Sequence, residues 1–238
     1  MDAGGGAAVP AVRLSGVAFS WQRRGFSLCV PAFSLARGRK VLLTGPSGSG
    51  KSTLLNLICG AVPARQGMVE VVGTDLTPLS RAQRDRFRAE HVGVVFQMFN
   101  LVPYLSIMDN VLLPLRFAPG RAQRARSAGG EAEEARRLLM ALELDPSLHS
   151  RPTTQLSVGQ QQRVAAARAL IGSPELMVAD EPTSALDQDR QAGFLSLLMA
   201  ELDKAGATLI MVSHDLRLAP YFDEVIRLDS IASMPSYA

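Results

Sequence analysis

One stretch near the start of the chain has the composition of a phosphate cradle. Gly45-Pro46-Ser47-Gly48-Ser49-Gly50-Lys51-Ser52 satisfies G-x-x-x-x-G-K-[ST] in full. The glycines let a loop wrap with its N–H groups inward, and a helix starting at its end adds positive potential where phosphate oxygens would sit. In such a loop Lys51 bridges the β- and γ-phosphates, the Ser52 hydroxyl is placed to ligate Mg²⁺, and Thr53 can donate to a further phosphate oxygen. Chance produces the match on the order of once in a hundred chains of this length. A second element supplies acid: Leu176-Met177-Val178-Ala179-Asp180-Glu181 is an apolar run ending in two carboxylates. Asp180 suits the metal side, through its water shell, and Glu181 suits a general base that polarises an attacking water.

These groups need strands and helices to hold them. Lys40–Thr44 is a short apolar run that stops at Gly45, and Lys51–Cys59 has helical character, so the loop joins a strand to a helix. Val12–Phe19 and Phe26–Phe33 are rich in β-formers around the polar Gln22-Arg23-Arg24-Gly25, which predicts an antiparallel pair joined by a turn. Val69–Val72 reads as a further strand. Ser80–His91 reads as a helix whose arginines, Arg81, Arg84, Arg86 and Arg88, form a solvated face rather than a lipid-binding one. From Phe117 to Gly130 the chain turns to Pro, Gly, Ala and Arg, which predicts a mobile connection inside a helical insertion. The acidic Glu131-Ala132-Glu133-Glu134 then opens a helix through Leu144, with carboxylates at the positive end of its dipole. Leu176–Ala179, Thr208–Val212 and Val225–Leu228 alternate with helical segments, the pattern of a largely parallel sheet covered by helices.

Composition narrows the class. The 238 residues are 47% hydrophobic, enough for one sizeable core with a small subdomain. Basic residues number 25 against 22 acidic, only Lys40, Lys51 and Lys204 being lysine, and the net charge of +3 is too mild for a domain-wide nucleic-acid footprint. Aromatics at 5% make a base-stacking platform a poor expectation. Cys29 and Cys59 have no metal or redox spacing and read as small buried hydrophobes kept as thiols. No run approaches the roughly 18 apolar residues of a membrane-spanning helix. Met1–Val12 lacks the basic and apolar regions of a signal peptide and reads as a frayed tail.

The phosphate loop alone leaves kinases, GTPases and motor ATPases open. Leu156-Ser157-Val158-Gly159-Gln160-Gln161-Gln162-Arg163 resembles the signature motif of ATP-binding cassette (ABC) ATPases. The acidic strand and Ser184-Ala185-Leu186-Asp187 follow at the family's interval, Gln97 lies between phosphate loop and signature, and His214 follows the next strand. The resemblance runs from about Val12 to Leu228. It implies an α/β P-loop NTPase fold with an ABC-type RecA-like core, an antiparallel β subdomain and an α-helical subdomain. The cassette is expected over residues 12–230 with its helical subdomain at about 98–172, residues 1–11 as a disordered tail and 231–238 as a C-terminal tail. It also implies an ATPase that requires Mg²⁺ and works as a homodimer or paired cassette.

Site residues follow from the same resemblance. Trp21 matches the aromatic position that stacks on adenine, with Phe19, on the same face of an alternating strand, as a weaker substitute. Gln97 matches the residue that contacts Mg²⁺ or the lytic water and senses the transport partner, and His214 the histidine that holds the γ-phosphate. Ser157, Gly159 and Gln160 start a helix running to about Ile171, whose N–H groups and dipole point at an anion. In this family that anion is the γ-phosphate bound to the other subunit, with Asp187 linking the two sites. Val158 departs from the family's usual glycine. A β-branched residue tolerates positive φ badly, so either the backbone there does not need it or the signature loop is altered.

Asp75-Leu76-Thr77-Pro78-Leu79-Ser80, Gly93-Val94-Val95-Phe96-Gln97, Asn100-Leu101-Val102-Pro103 and Asp109-Asn110-Val111-Leu112-Leu113-Pro114-Leu115 look like the lipoprotein-releasing, macrolide-exporter and cell-division group. Those cassettes pair with an integral membrane permease carrying a large extracytoplasmic domain. The chain is therefore expected on the cytoplasmic side of the inner membrane, held there by its permease and not bound to nucleic acid, with the apolar Met98–Leu115 segment as the permease contact. Importer cassettes share most of these residues, and a soluble ABC ATPase without a permease is the third reading. With no domain expected beyond about Leu228, cassettes with C-terminal regulatory domains are a poorer match.

Overall fold

A computed structural model describes residues 9–21, 27–184 and 186–234. The strands are β1 (Val12–Ser20), β2 (Ser27–Leu35), β3 (Lys40–Thr44), β4 (Gln66–Val71), β5 (Thr74–Asp75), β6 (Val92–Val95), β7 (Leu176–Asp180), β8 (Thr208–Val212) and β9 (Glu224–Arg227). The principal helices are α1 (Lys51–Ile58), α2 (Arg81–His91), α3 (Ile107–Leu112), α4 (Pro119–Ser127), α5 (Glu131–Ala141), α6 (Val158–Leu170) and α7 (Gln188–Ala205). One sheet is antiparallel in the order β2-β1-β4-β5, with Val12 opposite Leu35 and Val71. The other is parallel in the order β6-β7-β8-β3-β9. This is the P-loop ABC architecture expected from the sequence.

Alternation along the parallel strands divides the core. Leu42, Met177, Ala179, Leu209 and Met211 face α3, α5, α6 and α7. Val41, Leu43, Leu176, Val178, Ile210 and Val212 face α1 and the antiparallel sheet. Both faces are covered, so these strands are apolar throughout, and the loops at their C-terminal ends gather on one edge. Cys59 lies in the second cluster, where burial pushes its thiol up to about 12 and keeps it chemically quiet.

Two expectations change. Phe117–Gly130 is no mobile connection: Pro119–Ser127 is helical, with Pro119 in the first turn, where its missing N–H costs nothing, and Arg121, Ala122 and Ala125 buried. The ends of the expected tails are also held. Ala11 is buried and donates its N–H to Leu35 O at 2.8 Å, and Ser233 exchanges two 2.8 Å backbone bonds with Cys29. The Gln22–Gly25 turn, residues 1–8, Ala185 and residues 235–238 lie outside the described residues. Among those described, no helix is long and apolar enough to cross a membrane.

Candidate nucleotide site

The phosphate loop leaves β3 at Gly45 and enters α1 at Lys51. Gly50, the helix N-cap, has φ 99°, in the left-handed region that only glycine enters at low cost, and no side chain caps α1. The first-turn N–H groups therefore face outward with no acidic residue beside them. Lys51 is buried, and its ammonium donates to Gly45 O at 2.8 Å and Pro46 O at 2.7 Å, so its long side chain folds back across the loop. Ser49 Oγ is buried without a partner in the same loop. An uncapped helix start, a pre-placed cation and an orphaned buried hydroxyl fit a triphosphate.

A cleft of about 630 Å³ opens over this loop and brings together most of the expected residues. Trp21, Gly45, Ser47, Gly48, Gly50, Lys51, Ser52 and Thr53 form one wall, and Gln97, Asp180, Glu181 and His214 the other. Pro46 and Ser49 belong to the loop without lining the cleft. Trp21 is half exposed at the end of β1, and its indole N–H donates to Thr53 Oγ1 at 3.3 Å. Phe19 packs edge-on against it at 5.0 Å and is buried, so Phe19 props the indole and does not replace it. Trp21 thus presents a flat apolar surface beside a phosphate loop.

Asp180 and Glu181 stand at the end of β7, where the sheet delivers them to the loop edge. Glu181 has φ 45°, a left-handed conformation rarely adopted by a residue with a side chain, and its N–H donates to Val212 O at 3.0 Å. Its Oε2 lies 3.2 Å from Nδ1 of His214, which is exposed after β8. Nothing in the sequence announced that strain; backbone outliers of this kind concentrate at functional sites. The turn after His214 is braced by Arg217, whose hydrogen bonds hold the Asp215 carboxyl below its ordinary value. Ser52, Asp180 and Gln97 offer hard oxygen atoms to the cleft, which suits Mg²⁺ held mainly by substrate phosphates and water. Among the described residues no cluster of three or more His, Cys, Asp or Glu forms a separate metal site.

The signature lies elsewhere. Ser157 caps α6 in a reciprocal box: its Oγ accepts from Gln160 N–H at 3.3 Å, and Gln160 Oε1 accepts from Ser157 N–H at 2.9 Å. Ser157, Gly159 and Gln160 line a separate cleft of about 280 Å³ that shares no lining residue with the first. Asp187 lines neither; it caps α7 by accepting from Arg190 N–H at 3.0 Å. Val158 is the first residue of α6 and is absent from the positive-φ residues, so the valine carries no backbone strain. Sequence reasoning missed Arg168, in the last turn of α6, which donates to Asn100 O at 2.7 Å and Phe99 O at 2.5 Å just after Gln97. No motif flags it, because it works through backbone carbonyls.

An uncapped phosphate loop, an acidic strand end and a separate signature cleft on one RecA-like sheet define an ATP-binding cassette. The family model described as ABC transporter matches residues 30–184, well over half of the chain, and the chain belongs to that family. Members bind ATP with Mg²⁺. The lipoprotein-releasing system ATP-binding protein LolD of Anaeromyxobacter dehalogenans is 41% identical over 229 residues, covering 93% of this chain and 91% of its own. The macrolide export ATP-binding/permease protein MacB 1 of Aeromonas hydrophila is 43% identical over 195 residues, 82% of this chain but 29% of that longer one. Among solved structures, the ATP-binding cassette MJ0796, a dimer in a post-hydrolysis state bound to ADP and Pi, is 33% identical, with a TM-score of 0.78 over 91% of this chain and 93% of its own.

Proposed function

We propose that this cassette hydrolyses ATP as a dimer to drive a separate membrane permease, in the mechanical manner of lipoprotein-release and macrolide-export systems. The observation that carries the dimer is the separation of the two clefts: the phosphate loop and the signature of one chain serve different nucleotides. Two copies facing each other pair each loop with the opposite signature. Lys51 and the α1 N-terminus hold the phosphates, and Trp21 stacks on the adenine. Ser52, Asp180 and Gln97 would hold Mg²⁺, which supplies charge neutralisation on the phosphate oxygens. Glu181 takes the proton of the attacking water, and His214 positions the γ-phosphate for in-line displacement. Ser157, Gly159 and Gln160 reach that phosphate from the other copy, with Asp187 between the sites.

Support for the permease comes from a second groove, about 540 Å³, that begins at Phe96, next to Gln97. Phe96, Pro114 and Phe117 give it apolar walls, and Arg86, Arg88 and Arg168 rim it. Phe117 is 67% exposed, a large apolar group that belongs to neither core cluster of the described residues. Within the expected contact at Met98–Leu115, Phe99, Ile107, Val111 and Leu115 are buried in the helical core, whereas Met98 and Tyr104 are exposed and Pro114 lines this groove. Tagged protein should retrieve an integral membrane protein with an extracytoplasmic domain from detergent-extracted membranes, and Phe117→Glu should lose it while hydrolysing ATP at the basal rate. Retrieval of ribosomes or DNA with no membrane protein would overturn the reading.

A further inference from the structure

Among the described residues Arg121 is the largest fully buried side chain; Glu90 and Glu175 lie near enough to act on its charge, but neither forms an ion pair with it, and its hydrogen bonds go to backbone carbonyls. Its Nε donates to Ile171 O at 2.8 Å and its Nη2 to Ala169 O at 2.8 Å, and Nη1 lies 3.4 Å from Ala89 O. The first two acceptors are carbonyls at the C-terminal end of α6, left without helical partners and at the negative end of its dipole. Burying a cation among carbonyls is costly, and that cost lowers the guanidinium pKa to about 10. A strand, a helix and the turn after α6 meet here. Gly172, at φ +67°, leaves no room for a side chain, since a Cβ would come within 2.5 Å of Arg121 O. Gly93 on β6 does the same against Ala169 O, at 2.3 Å. Arg124, one turn along α4, adds a bond to Gly172 O at 2.7 Å. The C-terminal end of α6 is thus seated between β6 and α4 and tied by arginines.

We propose that Arg121 is a positioning residue for dimer closure: it fixes the C-terminal end of α6 and, through that rigid helix, the place where Ser157 meets the ATP of the other copy. The inference rests on the reading of Ser157 given above. The 13-residue helix is about 20 Å long, so a tilt of about 5° at the Arg121 end moves Ser157 by about 1.7 Å. A displacement of that size at a phosphate contact is enough to lose most of its value. Arg121 also lines the groove that begins at Phe96, and Arg168 carries the same helix end to the backbone after Gln97.

The test uses the full chain in a Glu181→Gln background with MgATP as the probe. Arg121→Lys keeps a cation but loses the planar fork that spans two carbonyls. Sedimentation should show ATP-driven dimerisation weakened about tenfold or more, while equilibrium dialysis at concentrations too dilute for dimers shows unchanged ATP affinity. Arg124→Gln, a milder perturbation that leaves Arg121 in place, should shift dimerisation the same way. Unchanged dimerisation in both variants overturns the inference, and so does a parallel loss of ATP affinity and thermal stability, which would mark a purely structural role. Ser157→Arg serves as the control: if it abolishes the dimer and the arginine variants do not, only this inference falls. If Ser157→Arg still dimerises, the reading of the signature falls too.

Discussion

Replacing Glu181 with glutamine should leave the site's shape intact and remove only its base. The amide has the size of the carboxylate, the residue keeps its φ of 45°, and the 3.2 Å approach of His214 Nδ1 survives with an amide oxygen as acceptor. Lys51 and the α1 N-terminus, which bind the phosphates, are untouched. The loss is then that of general-base catalysis, roughly 10²–10⁴-fold, equivalent to about 2.7–5.5 kcal/mol in the barrier. Hydrolysis slows while binding persists, so ATP should accumulate the closed dimer. Single-turnover phosphate release gives the rate, and sedimentation with MgATP gives the dimer. A companion variant separates chemistry from strain: Glu181→Gly also lacks the base, but glycine accepts the left-handed backbone and should recover about 1 kcal/mol of stability. Turnover near the wild-type rate in Glu181→Gln, or no ATP-dependent dimer, would refute the assignment of the base.

Lys51→Ala deletes the cation that crosses the phosphate loop and should weaken ATP binding, read as loss of the fluorescence response of Trp21, the chain's sole tryptophan; unchanged affinity would contradict the role. Val158→Gly should change ATP turnover and dimerisation, because the isopropyl group is half exposed beside Ser157 at the start of α6; identical rates would mean the valine is neutral. Glu201 on α7 is buried, which alone would raise its carboxyl. Hydrogen bonds from Lys204 and from Arg137 on α5 reverse that and hold it below its ordinary value. A lowered folded-state pKa stabilises above the unfolded value of about 4.3, and the gain disappears as pH falls through the folded value. The Tm deficit of Glu201→Gln should therefore be largest near neutral pH and shrink below about pH 4; a constant deficit would contradict the linkage.

Much of the molecule was legible because its signals are local. Glycine spacing, a following helix and apolar strands ending in carboxylates are written within a few residues each, and the uninterrupted apolar runs of β3, β7 and β8, separated by helical segments, predict two covered faces. What stayed hidden depends on distant partners. The Pro-Gly-Arg-Ala composition of Phe117–Gly130 looks like a connection, because nothing in it reveals that Arg121 will find the carbonyl end of a helix about fifty residues downstream. The bond from the Trp21 indole to Thr53 shows only once β1 lies beside the phosphate loop. The strain at Glu181 arises only when β7 and β8 are side by side and Val212 accepts its N–H. The concern over Val158 came from family habit; as the first residue of α6 it needs no positive φ.

The central claim is that each catalytic site is shared between two chains, and complementation tests it most directly. A Lys51→Ala chain has a defective phosphate loop and a sound signature; a Ser157→Arg chain has the reverse. Each alone should be inactive. In a mixed dimer one site carries both lesions and the other carries neither, so ATPase activity should reappear on mixing. A mixture as inactive as its two components would contradict the account.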